Sequence, residues 1–253
     1  DEVGSRGLGD VYKRQPNASE LFSEGLHHSA SRIELGDLQF GSETAHKVSL
    51  TLQQRAEKFD FTIMPYSNTI DNYILIEPTG IRQTIRGNFQ VWEYRQTKAQ
   101  IFGIDVDASL SLFDNVSFIH QFSLIKGYDL SQKKALISMP SASTKNSLVY
   151  TNLKHHNLKV SLESCYVFAQ NEFPDTNFEV VLPDSIQTVD ISTPPPGYHL
   201  LNFNASVSIN DSLHLGLYLN NMFNTSYRNY LNRLRYYADD VGRNITLQLK
   251  YNY

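Results

Sequence analysis

The sequence predicts an all-β chain whose antiparallel strands build a membrane-spanning barrel. Three observations carry this expectation. Apolar and polar residues alternate with period two along most of the chain, connections between these runs are by turns very short and long, and no stretch of about 18 apolar residues offers a transmembrane helix. Composition agrees, with charged residues at 19% and aromatics at 12% of 253 residues. The first value lies below the roughly 25% of ordinary soluble domains. With 22 Lys+Arg against 26 Asp+Glu the formal charge is −4, which excludes a basic nucleic-acid binder. The single cysteine, Cys165, excludes an intrachain disulfide framework and a cysteine-rich zinc module.

Residues 1–15 show neither helical nor strand periodicity and lack the apolar core of a signal peptide. The string Ser5-Arg6-Gly7-Leu8-Gly9-Asp10-Val11-Tyr12-Lys13-Arg14-Gln15 resembles a translated adapter remnant. This segment is therefore expected to be a non-native tail outside the fold, with 16–253 as the barrel portion. Gly4, Gly7 and Gly9 do not make a phosphate loop, because no strand precedes them and no helix with Lys-Ser/Thr follows.

About nine strands follow, at 43–55, 59–72, 100–113, 116–126, 144–153, 157–170, 201–209, 213–220 and 244–253. The clearest is 201–209, where Leu201, Phe203, Ala205, Val207 and Ile209 oppose Asn202, Asn204, Ser206 and Ser208. Only Asn210-Asp211 separates it from Leu213, Leu215, Leu217 and Leu219, which reads as a tight hairpin. The last run sets Ile245, Leu247, Leu249, Tyr251 and Tyr253 on one face. In 100–113 the polar face carries Asp105 and Asp107, which suits a wet interior better than a small dry core. Pro65 interrupts the second strand, and a bulge or an edge position is expected there.

The short connections are Ala56-Glu57-Lys58, Asp114-Asn115, Lys154-His155-His156 and Asn210-Asp211; the long ones are 16–42, 76–99, 127–143, 172–198 and 224–242. A soluble sandwich has no reason to gather its long loops at one end. An outer-membrane barrel does, with short periplasmic turns and long extracellular loops.

Four motifs, in order, carry a family resemblance. They are Glu20-Leu21-Phe22-Ser23-Glu24-Gly25-Leu26-His27-His28 leading to Glu34-Leu35-Gly36-Asp37, then Ala99-Gln100-Ile101-Phe102-Gly103-Ile104-Asp105-Val106, then Pro195-Pro196-Gly197-Tyr198-His199-Leu200-Leu201-Asn202. The fourth is Asn220-Asn221-Met222-Phe223-Asn224-Thr225-Ser226-Tyr227-Arg228, followed by Gly242-Arg243-Asn244-Ile245-Thr246-Leu247 and a terminal aromatic. Together they resemble the C-terminal barrel of TonB-dependent outer-membrane receptors, and the first is most similar to the zinc- and haem-uptake branch. The resemblance implies a 22-stranded barrel with an N-terminal plug in a Gram-negative outer membrane, opened through the TonB complex. It further implies the barrel-assembly machinery and outer-membrane lipid as partners and a small scarce ligand such as zinc, haem or a siderophore, with no resident cofactor. Plug and TonB segment are absent from the sequence in hand, so a partial barrel is expected.

His27 and His28 are the candidate metal or haem ligands, with Glu20 and Glu24 near in sequence; solvated loop histidines are the plainer account. Arg228, Tyr230, Arg235 and Tyr236 are the candidate ligand-gripping residues, equally suited to packing an ordered loop. Tyr251 and Tyr253 are the expected assembly signal on the closing strand. Asp105 and Asp107 share a face without a third partner, which supports hydration or pairing to neighbours more than catalysis. No Ser/His/Asp set is organised for an enzyme. The competing reading is a complete small barrel of about 8 to 10 strands serving as an adhesin or membrane enzyme.

Overall fold

The computed structural model of the protein describes every residue except Asp1, His155, Pro183, Asp184 and Tyr253. In chain order the elements begin with β1 (Glu2–Arg14), α1 (Ala18–Phe22), β2 (Glu24–His27), β3 (Arg32–Leu35), β4 (Glu43–Arg55) and β5 (Phe59–Thr84). They continue with β6 (Gly87–Phe113), β7 (Val116–Asp129), β8 (Lys134–Ala135), β9 (Ser143–Asn152), β10 (Leu158–Val167), β11 (Phe178–Leu182) and β12 (Ser185–Val189). The last are β13 (Tyr198–Ser208), β14 (Leu213–Asn220) and β15 (Asn244–Tyr251). The main wall runs β1-β4-β5-β6-β7-β9-β10-β13-β14-β15, each neighbour antiparallel, and among the described residues no pairing joins β1 to β15. The sheet is thus open, which opposes the complete small barrel.

Side-chain alternation gives this wall its two faces. Facing pairs such as Phe61↔Ala108, Ile63↔Val106, Leu110↔Phe118, Leu148↔Leu162, Phe203↔Leu219 and Leu217↔Leu247 line one side. Val48, Leu110, Leu148, Leu162, Leu247 and Leu249 on that side are exposed. In water such a surface would cost roughly 25 cal/mol per Å² of apolar area, whereas lipid accepts it. The opposite face is polar, and it satisfies itself across strands: Ser123 Oγ donates to Asp105 at 2.7 Å and Gln121 Nε2 to Asp107 at 2.8 Å. No helix among the described residues is long and apolar enough to cross a membrane.

All nine expected strands are present, and the structure corrects four details. First, residues 2–14 are not outside the sheet but pair with β4 from Glu2↔Arg55 to Arg14↔Glu43. Periodicity missed this strand because its outward positions include Ser5, Gly7 and Gly9, opposite Leu52, Leu50 and Val48, so backbone pairing proceeds without an apolar stripe. Second, 76–99 is no open loop. β5 runs on to Thr84 and β6 starts at Gly87, forming one ladder interrupted by bulges between Ile70 and Tyr73 and between Pro78 and Gly80. Asn72, at φ 58°, supplies the left-handed residue of the first bulge.

Third, Pro65 occupies an interior strand without a bulge. It keeps its register with Ile104, while pairing to β4 lapses between Ser49↔Tyr66 and Leu52↔Ile63. The missing N–H is absorbed by that gap. Fourth, the β13–β14 turn spans 209–212, since the strands stop at Ser208 and resume at Leu213; Asn210 Oδ1 accepts from the N–H groups of Ser212 and Leu213.

The long connections fold over the polar face at one end of the wall. Residues 130–142 turn inward, and Leu136 and Met139 pack on Leu75 and Ala99 in a small core that Tyr73, Ile101 and Ile125 extend. Beside it Asp129 is fully buried and accepts from Arg95 Nη2 at 2.6 Å, Thr97 Oγ1 at 2.7 Å and the N–H groups of Ser131 and Gln132. Arg95 Nε also donates to Glu77 at 2.5 Å, and Lys134 lies 3.1 Å from Glu77. Burial alone would raise both carboxylic acids, yet hydrogen bonds from Thr97 and Gln132 at Asp129, and the Arg95 hydrogen bond with the Lys134 charge at Glu77, hold each below its usual range. Strand β3 adds in parallel to the β6 extension, Arg32↔Gln90 through Leu35↔Glu93.

Candidate functional site

Residues 221–243 are shaped by a polar clasp at their base. Asn221, at φ 51° and 3% exposed, accepts from Thr225 N and donates to its carbonyl, while its own N–H reaches Asn202 Oδ1. Asn224 Oδ1 accepts from Arg243 N at 2.9 Å, closing the two ends of the loop on each other. A Cβ at Gly242 would stand 2.6 Å from that oxygen, so glycine is what lets the ends meet. Higher up, Asp240 accepts from Asn229 N and Asn232 Nδ2, and Asp239 accepts from Arg228 Nε at 2.6 Å and from Ser226 Oγ. Neither aspartate was singled out from the sequence; each is what turns a Tyr/Arg-rich segment into an ordered loop.

The loop 16–42 is built the same way. Asn17 and Glu20 form a reciprocal cap on α1, and Arg14 bridges Glu20 and Glu43. Gly36 N donates to Ser23 O at 2.7 Å and Asp37 N to Glu20 O at 3.0 Å, which carries β3 back across the end of α1. There a Cβ on Gly36 would lie 2.6 Å from Glu20 O.

These two loops meet the β6 extension. Arg32 lies over Trp92, with its guanidinium carbon 4.2 Å from the ring centroid, and Arg235 lies 4.3 Å over Tyr230 and 4.7 Å over Tyr236. Burial pushes the phenols of Tyr230 and Tyr236 up, so they stay neutral at physiological pH. Three of the four expected ligand-gripping residues, Arg228, Arg235 and Tyr236, line one groove of about 440 Å³ with Asp190, Thr193 and Pro195. Tyr230 instead faces a smaller cavity of about 40 Å³ shared with Arg32, Trp92, Arg233 and Arg235. The sole Trp and the Arg32/Glu34 pair were not singled out as site residues. Their spacing of two puts Arg32 and Glu34 on one face of a strand, which is the signal that could have found them.

The structure does not bring His27 and His28 to a shared centre. His27 Nδ1 is 3.1 Å from Ser29 Oγ, whereas His28 Nε2 is 3.5 Å from Arg86 Nη1, so the two imidazoles have separate partners. Glu20 is committed to the α1 cap and to Arg14. Among the described residues no three His, Cys, Asp or Glu side chains are grouped to hold a metal ion. Tyr251 sits on the exposed apolar face of β15, opposite Leu213; Tyr253 and His155 lie outside the described residues.

An open wall with one apolar face, tight turns at one end and folded loops at the other narrows the fold to a membrane barrel. Residues 10–222 match the family described as TonB dependent receptor-like, beta-barrel. The chain belongs to that family. Family membership places it in the Gram-negative outer membrane. Among solved structures it is similar to the copper transporter OprC, at 17% identity and a TM-score of 0.77, over 98% of this chain and 37% of that one. It is also similar to a G324V mutant of the ferric enterobactin receptor PfeA from Pseudomonas aeruginosa, at 13% identity and a TM-score of 0.67 over 98% and 38%. The FrpB iron transporter from Neisseria meningitidis, F3-3 variant, gives 16% identity and 0.64 over 98% and 37%. At such identities the likeness is one of fold, and the chain spans little more than a third of these relatives. No curated protein sequence matches it.

Proposed function

We propose that this TonB-dependent receptor barrel takes part in energy-coupled uptake of a small metal complex, an iron–siderophore or haem ahead of bare zinc. The TonB complex would supply the energy, the barrel-assembly machinery would insert the wall with Tyr251 and Tyr253 as its closing signal, and lipid would cover the apolar face. The observation that supports this reading is the groove of Arg228, Arg235 and Tyr236 at the long-loop end, of a size suited to a small ligand. Guanidinium and phenol groups recognise a chelated metal by its organic shell, whereas a bare ion needs converging imidazoles and carboxylates. We propose further that residues 1–15 are foreign to the natural barrel, their outward Ser5, Gly7 and Gly9 being poor anchors in lipid.

The test uses a complete receptor carrying these residues. An Arg228→Ala/Tyr236→Ala variant, at unchanged outer-membrane abundance, should lose about tenfold or more in TonB-dependent uptake of one of ferric siderophore, haem or zinc, as expected for lost charged hydrogen bonds. Unchanged uptake of all three would sink the assignment of this groove. A parallel His27→Ala/His28→Ala variant separates the histidine pair, and a selective loss of zinc uptake there would restore the bare-metal reading.

A further inference from the structure

Among the described residues Arg235 forms no ion pair. The residue is 9% exposed, yet its acceptors are the carbonyl oxygens of Tyr230 and Ile191 and the hydroxyl of Tyr236, all neutral. Buried charges are ordinarily paired, because desolvating one without a counter-ion costs several kcal/mol. The imbalance grows around it. Arg32 and Arg233 line the same cavity of about 40 Å³, and no carboxylate does. Glu34, 4% exposed, accepts from Arg32 Nε at 2.8 Å and lies 3.9 Å from Arg233 Nη1, with the Tyr94 hydroxyl donating at 3.4 Å. One carboxylate thus pairs with two of the three guanidiniums, and Arg235 is left with neutral acceptors.

We propose that this cavity is an anion site, that it seats a carboxylate-type group of the ligand, and that Glu34 is its built-in competitor. The inference rests on the receptor reading above and gives it a ligand chemistry. Arg32 is held flat on Trp92 and Arg235 between two phenol rings, so their planar forks are pre-organised for carboxylate. Arg233 is 59% exposed and stands where an anion would enter. Glu34 is tethered two residues from Arg32, so it holds Arg32 and Arg233 together without neutralising the three cations. An arriving carboxylate would take Arg233 and Arg235, leaving Glu34 to Arg32 alone, and would join residues 221–243 to the β6 extension through a shared anion.

The experiment is citrate binding by calorimetry to the complete, detergent-solubilised receptor, with heat-modifiable gel mobility as the check on folding. Glu34→Gln, which removes the competitor but keeps its shape, should tighten citrate binding by about fivefold or more, the usual scale of coupling between sites. Arg233→Gln, at an exposed position, should weaken it by a similar factor with folding intact. Weaker or unchanged binding in folded Glu34→Gln, or unchanged binding in Arg233→Gln, overturns the proposal. Should Glu34→Gln not fold, Arg233→Gln alone decides. The assay needs no TonB, so citrate binding without any energised uptake would count against the receptor reading and leave the anion site standing.

Discussion

Asp129 shows how a single carboxylate can hold down a loop. It is fully buried and answered by Arg95, Thr97 and two backbone N–H groups, so its ionised form ties residues 130–142 to the wall. Its pKa, like that of Glu77, is lower in the fold than in an unfolded chain. The stability it brings is therefore complete above the unfolded carboxylate values near pH 4 and is lost as pH falls below them. We expect proteolysis of residues 130–142 to begin only below about pH 4, and Arg95→Ala to expose them at neutral pH through a loss of about 3 kcal/mol. Full resistance of Arg95→Ala at pH 7 would show that the apolar contacts of Leu136 and Met139 suffice. None of this was legible in the sequence, where Asp129 ends an amphipathic run and meets Arg95 across 34 residues.

At the scale of elements, the motifs that carried the family resemblance turn out to be joints. Gly36 and Gly242 each sit where another atom occupies the space of a side chain, but the obstacles differ. At Gly36 it is the backbone of Glu20 and Leu21, which cannot swing aside; at Gly242 it is the end of the Asn224 side chain. Gly36→Ala should thus cost roughly 1–3 kcal/mol by overpacking, and Gly242→Ala about 1 kcal/mol through the lost Arg243 N–H bond. Chymotrypsin digestion of the folded protein should open the 16–42 loop in the first variant before the 221–243 loop in the second; the reverse order would refute the backbone argument. Alternation disclosed the nine strands because each needs an apolar stripe for lipid. The same criterion missed β1, whose outward Ser5, Gly7 and Gly9 leave it no apolar stripe, and took the β5–β6 extension for a loop because Glu77, Pro78 and Gly80 break the period outside the membrane. The candidate site was half legible: Arg228, Arg235 and Tyr236 are local to one loop, whereas Trp92, Arg32 and Glu34 join them only through the fold.

For the whole molecule, the decisive property is that tight turns and folded connections lie at opposite ends of the wall. If the folded end faces outward, a protease site placed in residues 177–190 should be cut on intact cells, and one at Asn210-Asp211 only after the outer membrane is breached. Equal cutting at both would defeat this orientation. The β5–β6 ladder then acquires a mechanical meaning. Beyond the bulge at Asn72, residues 73–84 rise about 40 Å at ordinary strand spacing, ending near a fully exposed Ile85. A load pulling the tip of this mast along its axis is carried by both covalent backbones together, whereas a sideways load bears on the two bulges, at Asn72 and Thr79, and on β3, which braces the β6 side from Gln90 to Glu93. The protrusion is therefore stiff to tension, and the stretch most open to bending is its tip beyond the brace of β3, residues 81–89 around Ile85.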